Sequence, residues 1–226
     1  MNILALETAT DACSVALANR HGVYEVHELA PRQHTALLFG MVERVLAEAG
    51  ITRHALDLIA FGQGPGAFTG VRVAAAVAQG IALARDLPLA PISTLAALAA
   101  GGARLHGARR VLAALDARRD EIYFAALCFD DAGAITQQVI ADCVLAPEAV
   151  TIAAAAQWLA VGNGWQVYHT RLAPDIAAVP RAPLLHPHAS DVARLGAALH
   201  AAGRSVAVAD ALPLYLRGAV DAPPGL

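Results

Sequence analysis

The run Ile3-Leu-Ala-Leu-Glu-Thr-Ala-Thr-Asp-Ala-Cys-Ser-Val-Ala-Leu17 decides the fold, because a shorter echo of it occurs in the second half of the chain. Two apolar arms, Asn2–Leu6 and Cys13–Ala18, flank an acidic polar turn, and a third run, Gly22–Glu28, follows Asn19-Arg20-His21. Short apolar runs punctuated by polar turns predict a β-meander. Further on, Ala113-Ala-Leu-Asp116, a turn and Phe124-Ala-Ala-Leu127 overlay Leu4-Ala-Leu-Glu7, a turn and Ser14-Val-Ala-Leu17. Each copy is a strand ending in a carboxylate, a polar turn and a return strand. A true duplication puts Glu7 and Asp116 at equivalent turns over a cleft shared by two lobes. The plainer reading is that both carboxylates only shape Asx-type turns.

Working outward, a helical pattern opens at Gln33 or Thr35 and closes at Gly50, and Leu58–Gly62 is a short buried strand. A glycine-rich segment, Gly62-Gln-Gly-Pro-Gly-Ala-Phe-Thr-Gly70, leads into a long helix from about Val71 to Arg85. A strand near Leu89 and a helix capped by Ser93 or Thr94 follow. Glycine and polar residues cluster in Gly101-Gly-Ala-Arg-Leu-His-Gly107, which predicts a boundary between a first lobe, 1–103, carrying partner-binding helices, and a second, 104–226.

Composition narrows the chemistry. The chain has 226 residues, 57% hydrophobic against 15% charged and only 5% aromatic, so its core is built from Ala, Val and Leu. A formal net charge of -3 offers no long-range attraction for a polyanion, which argues against autonomous nucleic-acid binding. All 16 basic residues are Arg. Without Lys there is no Schiff base, no Walker-type lysine and no Ser-Lys dyad. Cys13, Cys128 and Cys143 form no CxxC pair, and all three are expected to be buried thiols. Glu7 and Asp11 fall where an export signal would be apolar, and the charge-free stretches Leu87–Ala103 and Ala149–Thr170 are broken by Pro and Gly. A cytoplasmic protein with no membrane association is expected.

The glycine-rich segment is the most informative motif. Gly64, Gly66 and Gly70 permit torsions and close approaches that a Cβ forbids, Thr69 can cap the following helix, and Arg72 sits in its first turn. Free amides there suit an anion or a nucleotide phosphate. Packing alone is the competing reading, because the segment matches neither GxGxxG nor GxxxxGK[ST]. His34 lacks a second histidine one turn on, and His186 and His188 flank Pro187 in a loop where exposed histidines that bind no metal are expected. Ser14, Ser93, Ser190 and Ser205 lie in no GxSxG elbow. The two first-half helices are apolar over nearly their whole circumference, more than one core face can use. That excess predicts a partner surface of Leu37, Leu38, Met41, Val45, Val73 and Val77.

The opening run and Pro31-Arg-Gln-His-Thr35, together with Gly64-Pro-Gly-Ala-Phe-Thr-Gly-Val-Arg72, resemble the TsaB (YeaZ) family of bacterial tRNA-modification proteins. Ser93-Thr-Leu95, Leu115-Asp-Ala-Arg118 with Glu121-Ile-Tyr123, Val161-Gly-Asn-Gly-Trp165 and Pro213-Leu-Tyr-Leu-Arg217 extend the likeness nearly end to end. The resemblance implies an α/β, actin-like (ASKHA, ribonuclease H-like) duplicated fold with two lobes. It implies a non-catalytic scaffold that binds the catalytic subunit TsaD, and with it the ATPase TsaE, in a complex that transfers a threonylcarbamoyl group to the adenosine beside the tRNA anticodon. Such a chain needs no metal or cofactor of its own, meets tRNA only through the complex, and forms a homodimer when alone; nucleotide binding within the complex stays open. The family commonly has Asp at Glu7 and Thr or a similar small residue at Asn163. The alternative is a stand-alone actin-like enzyme, a glycoprotease-type peptidase or a kinase, which the absence of a nucleophile, a metal pair and Lys disfavours.

Overall fold

Two β-sheets of matching topology organise the chain, which a computed structural model describes over residues 1–217. The first sheet contains β1 (Ile3–Glu7), β2 (Ala12–Asn19), β3 (Gly22–Leu29), β4 (Leu58–Gly64) and β5 (Leu89–Ser93), in the order β3-β2-β1-β4-β5. β1 runs antiparallel to β2 and parallel to β4, and β2 runs antiparallel to β3. The second sheet contains β6 (Arg110–Arg118), β7 (Glu121–Phe129), β8 (Ile135–Leu145) and β9 (Leu159–Val161), in the order β8-β7-β6-β9. Here too the first strand pairs antiparallel with the second and parallel with the fourth. The unit of meander plus returning parallel strand is therefore used twice, as the hairpin echo predicts, and the actin-like duplicated α/β fold that the family resemblance implies is the fold observed.

Side-chain size sets the layers. Alternation along β1 sends Leu4 and Leu6 to one face and Ile3 and Ala5 to the other. The large face, with Val15, Leu17, Ile59 and Phe61, is covered by α1 (His34–Glu48) and α2 (Phe68–Leu83). The small face, with Ala5, Ala16, Ala60 and Ala90, receives α6 (Ala189–Ala201), whose Gly196 comes so close that an added Cβ would stand 2.7 Å from that of Ala60. α3 (Thr94–His106) covers Val111, Ala113, Leu115 and Leu127 of the second sheet. The opposite face of that sheet is closed by Trp158, Trp165 of the short α4 (Gly164–Val167) and Ile176 of α5 (Pro174–Ala177).

Several local expectations change in context. α2 begins at Phe68, so Thr69 lies inside its first turn and caps nothing. Ser93 does cap α3, its Oγ accepting from the Ala96 amide at 3.0 Å. The Gly101–Gly107 tract is no linker: it is the end of α3, stopped by left-handed Gly107, and position 103/104 falls within that helix. The chain then returns to the first sheet. Leu89 and Val206 exchange backbone hydrogen bonds of 3.0 and 2.8 Å, and Gln79 Nε2 donates to the carbonyls of Val208 and Ala211.

The helix phase is the largest correction. Leu38, Met41 and Val45, expected on a partner surface, are buried in the first core with Leu4, Phe61 and Ala78, while Leu37, Val73 and Val77 are half-buried at its margin. The exposed small and apolar positions are Ala36, Phe39, Gly40 and Ala47 on α1 and Phe68, Ala76, Gly80 and Leu83 on α2, interspersed with exposed Thr35, Glu43, Arg44 and Glu48 on α1 and Thr69 and Arg72 on α2. Of the three cysteines only Cys13 is buried; Cys128 and Cys143 are half-buried.

Candidate functional site

The two acidic turns do meet across a cleft of about 710 Å³. The first lobe contributes Ala9, Thr10 and Asp11 from the β1–β2 turn and Gly66–Phe68, Val71 and Arg72 from the glycine loop and α2. The second contributes Leu115–Arg119, Tyr123 and Asn163, and Leu214–Arg217 closes the rim.

Of the two carboxylates expected there, only Asp116 reaches the cleft. Its Oδ1 accepts from the Tyr168 hydroxyl and the Arg118 amide, each at 2.8 Å, and its own amide donates to Asn163 Oδ1 at 3.0 Å. Burial and the neighbouring Asp116 push the Tyr168 phenol up to about 12, which keeps it a donor. Glu7 instead points into the protein and is 1% exposed. Its carboxyl accepts from the Ala9 amide at 2.7 Å and the Thr94 hydroxyl at 3.2 Å. Burial outweighs these bonds and pushes it up to about 7. In the first lobe Thr10 and Asp11 take the exposed places.

The glycine loop works by close approach. A Cβ on Gly66 would stand 2.3 Å from the Ala9 carbonyl oxygen, and one on Gly70 would stand 1.9 Å from that of Thr8. Neither glycine has a positive φ, so their necessity is steric; Gly64, at φ +106, is the one that needs a glycine torsion. The loop is thereby pressed onto the β1–β2 turn, where the Ala67 amide donates to Ala9 O at 2.7 Å and the Thr8 hydroxyl to Gly70 O at 2.7 Å. His34 braces the same turn from α1, its Nε2 lying 2.9 Å from Thr10 O and 3.2 Å from Ala12 O.

Four guanidiniums line the cleft. Arg72 lies 3.6 Å from the centre of the Phe68 ring and donates from Nε to the Tyr215 hydroxyl at 2.7 Å. Arg217 pairs with Glu121 and donates to the carbonyls of Ala117 and Arg118 at 2.9 Å. Arg118 and Arg119 sit on the β6–β7 turn, where Arg118, Arg119 and Asp120 all have φ between 54 and 61. Arg119 and Asp120 form the two-residue loop of the β6–β7 hairpin, whose backbone calls for positive φ at both central positions, at a cost on the order of 1 kcal/mol each for residues other than glycine. Among the described residues the lining sets Asp11 and Asp116 against these four cations and holds no His, Cys, Ser or Glu side chain; Arg118 is paired with Asp116 at 2.9 Å, as Arg217 is with Glu121. Such a cleft suits an anion. In the sequence Phe68 and Tyr215 stand in two separate motifs, Gly64–Arg72 and Pro213–Arg217, and Arg119 in none; only the fold brings the three to one cleft.

The histidine loop also departs from expectation. His186 and His188 are half-buried rather than exposed, and His188 stacks on His27 with ring centres 4.1 Å apart. No helix among the described residues is long and apolar enough to cross a membrane.

The model of the family described as TsaD, tRNA N6-adenosine threonylcarbamoyltransferase, matches residues 14–211. The tRNA threonylcarbamoyladenosine biosynthesis protein TsaB of Escherichia coli is 42% identical over 97% of this chain and 96% of its own. The protein of the same name from Haemophilus influenzae is 36% identical over 97% and 95%. Among solved structures, YeaZ from Pseudomonas aeruginosa superposes with a TM-score of 0.89 at 42% identity, covering 95% of this chain and 99% of that one.

Proposed function

Since this chain belongs to the TsaB family of tRNA threonylcarbamoyladenosine biosynthesis proteins, we propose that it serves that pathway as a non-catalytic scaffold rather than as an enzyme in its own right. The observation that carries this reading is the lining of the inter-lobe cleft: among the described residues, four arginines, no His, Cys, Ser or Glu, and two aspartates, of which Asp116 is already held by Tyr168 and Arg118. A peptidase of this fold would need a nucleophile or a set of metal ligands at the place where its substrate lies.

The partner is a TsaD-like catalytic subunit, with the TsaE-like ATPase recruited through it and tRNA met only in the assembly. The docking face is the outward side of α1 and α2. Phe39 and Leu83 stand 53% and 71% exposed there, and Ala36, Gly40, Ala76 and Gly80 leave room for a helix to approach closely. Without that partner the same face pairs with a second copy of the chain. The arginine-lined cleft takes a phosphate-bearing anion, a nucleotide within the complex, while the chain needs no cofactor to fold.

The test is to purify the chain alone and with a TsaD-like subunit. Alone it should dimerise and show no tRNA modification, ATP hydrolysis or peptide cleavage; with the subunit it should co-purify and support modification. Turnover of any of these reactions by the isolated chain above ~1 per second would overturn the scaffold reading.

A further inference from the structure

A second cluster of chemically active side chains lies away from the cleft, where β3 meets the start of α6. Glu25, His27 and His188 each present a ligand atom within 4.8 Å of the others. His188 is the residue preceding α6, so the cluster joins positions 163 residues apart in the chain. The Glu25 carboxylate is held in place by neighbours: Oε1 accepts from the Ser14 hydroxyl at 3.1 Å and the Ser190 amide at 2.9 Å, and Oε2 from the Ser190 hydroxyl at 3.0 Å. His188 Nδ1 faces Oε2 at 3.2 Å. His27 Nδ1 is buried and has no hydrogen-bond partner, and the same holds for Nδ1 of His186, two residues before His188.

An orphaned imidazole nitrogen beside an oriented carboxylate and a second imidazole calls for a cation. Buried polar atoms are nearly always satisfied, and these are not. We infer that Glu25, His27 and His188 form a site for one divalent transition-metal ion, zinc being the best match, with water in the fourth position. Two imidazoles and one carboxylate are a recurrent zinc donor set, and hard ions such as magnesium prefer oxygen alone.

The distances agree. Donors bonded to zinc at about 2.0–2.1 Å in a tetrahedron stand roughly 3.3 Å apart, and the Glu25–His188 pair already has that spacing at 3.2 Å. The ion takes the place of the proton between them. His27 must close by no more than about 1.5 Å from its 4.8 Å limit. It must also turn out of its stack with His188, since rings inclined by only 14° aim their lone pairs side by side. That rotation breaks no hydrogen bond at Nδ1. The Ser14 and Ser190 contacts supply the outer support that orients a ligating carboxylate.

Bound there, the ion would pin edge strand β3 to α6, the helix that closes the first sheet. The full-length chain, stripped with a chelator, is titrated with Co²⁺ and Zn²⁺, with Mg²⁺ as control. One equivalent of Co²⁺ should give the intense visible bands of a tetrahedral site, Zn²⁺ should displace it, and saturating Zn²⁺ should raise the unfolding midpoint by about 5 °C or more. H27Q and H188Q should each weaken binding at least tenfold, whereas H54Q, on an exposed histidine, should not. Absence of the tetrahedral spectrum in the unmutated chain, or binding by H27Q and H188Q as tight as that of the unmutated chain, would overturn the assignment. The first of these results does not depend on any variant folding.

Discussion

Glu7→Gln tests the reading of the first acidic turn, because the structure places this carboxyl wholly inside the protein. In the unfolded chain a glutamate titrates near 4.5, and burial raises it to about 7 in the fold. The folded state therefore holds its proton over a range in which the unfolded state has released it. Stability falls as pH rises from about 4.5 to 7, and the full cost applies above the folded value. A shift of about 2.5 units corresponds to about 3 kcal/mol at 1.36 kcal/mol per unit. Glutamine has the same shape, which the site demands: a Cβ on Gly62 would stand 2.0 Å from Glu7 Oε2, so nothing larger fits. Its carbonyl can accept from Ala9, and its amide can donate to the Thr94 hydroxyl, which serves in either role. The variant should match the parent within about 1 kcal/mol at pH 5 and exceed it by about 3 kcal/mol at pH 8.5. Urea midpoints of both proteins at four pH values measure this difference, and all other titrations cancel in it. A gap that stays constant with pH, or that favours the parent as pH rises, would refute the burial of an ionisable Glu7.

Three further outcomes follow from the packing. Gly70→Ala should cost about 3 kcal/mol or more by driving a Cβ into the Thr8 carbonyl, whereas Gly40→Ala, with nothing within 4 Å of the new atom, should gain about 0.5–1 kcal/mol; thermal melts separate the two. Leu38→Arg should prevent folding, because Leu38 is 0% exposed, while Leu83→Arg should fold within about 0.5 kcal/mol of the parent and lose both dimer and TsaD-like partner in gel filtration and co-purification. Asp191→Ala should cost about 2–3 kcal/mol in denaturant, since Asp191 is buried and accepts both Arg104 bonds, at 2.8 Å each, across the α3–α6 contact.

The corrections share a cause. Alternation and turn chemistry are local, so the meander, the glycine loop, the Ser93 cap and the hairpin echo were legible in the residues themselves. Helix phase was not legible on α1, because Ala36–Val42 is apolar on nearly every side except at Gly40, and periodicity then names no inward face. Contact with Leu4, Val15 and Phe61 turned Leu38, Met41 and Val45 inward and left Ala36, Phe39 and Gly40 outside. The need for glycine at positions 66 and 70 was legible as a close approach, but what each avoids is a carbonyl of the β1–β2 turn, more than fifty residues away in sequence.

The functional surfaces divide in the same way. The sequence alone determined the family through motifs in order along the chain, the fold that goes with that family, and the absence of lysine chemistry. Tertiary structure decided that Asp116 faces the cleft while Glu7 is buried, that Arg72 meets Phe68 and Tyr215, and that Glu25 and His27 meet His188. Those partners lie on different strands and loops, and no local period records which faces two separately folded segments will turn toward each other. Propensity and pattern act over a few residues, whereas a site is assembled by the burial of whole sheets and helices.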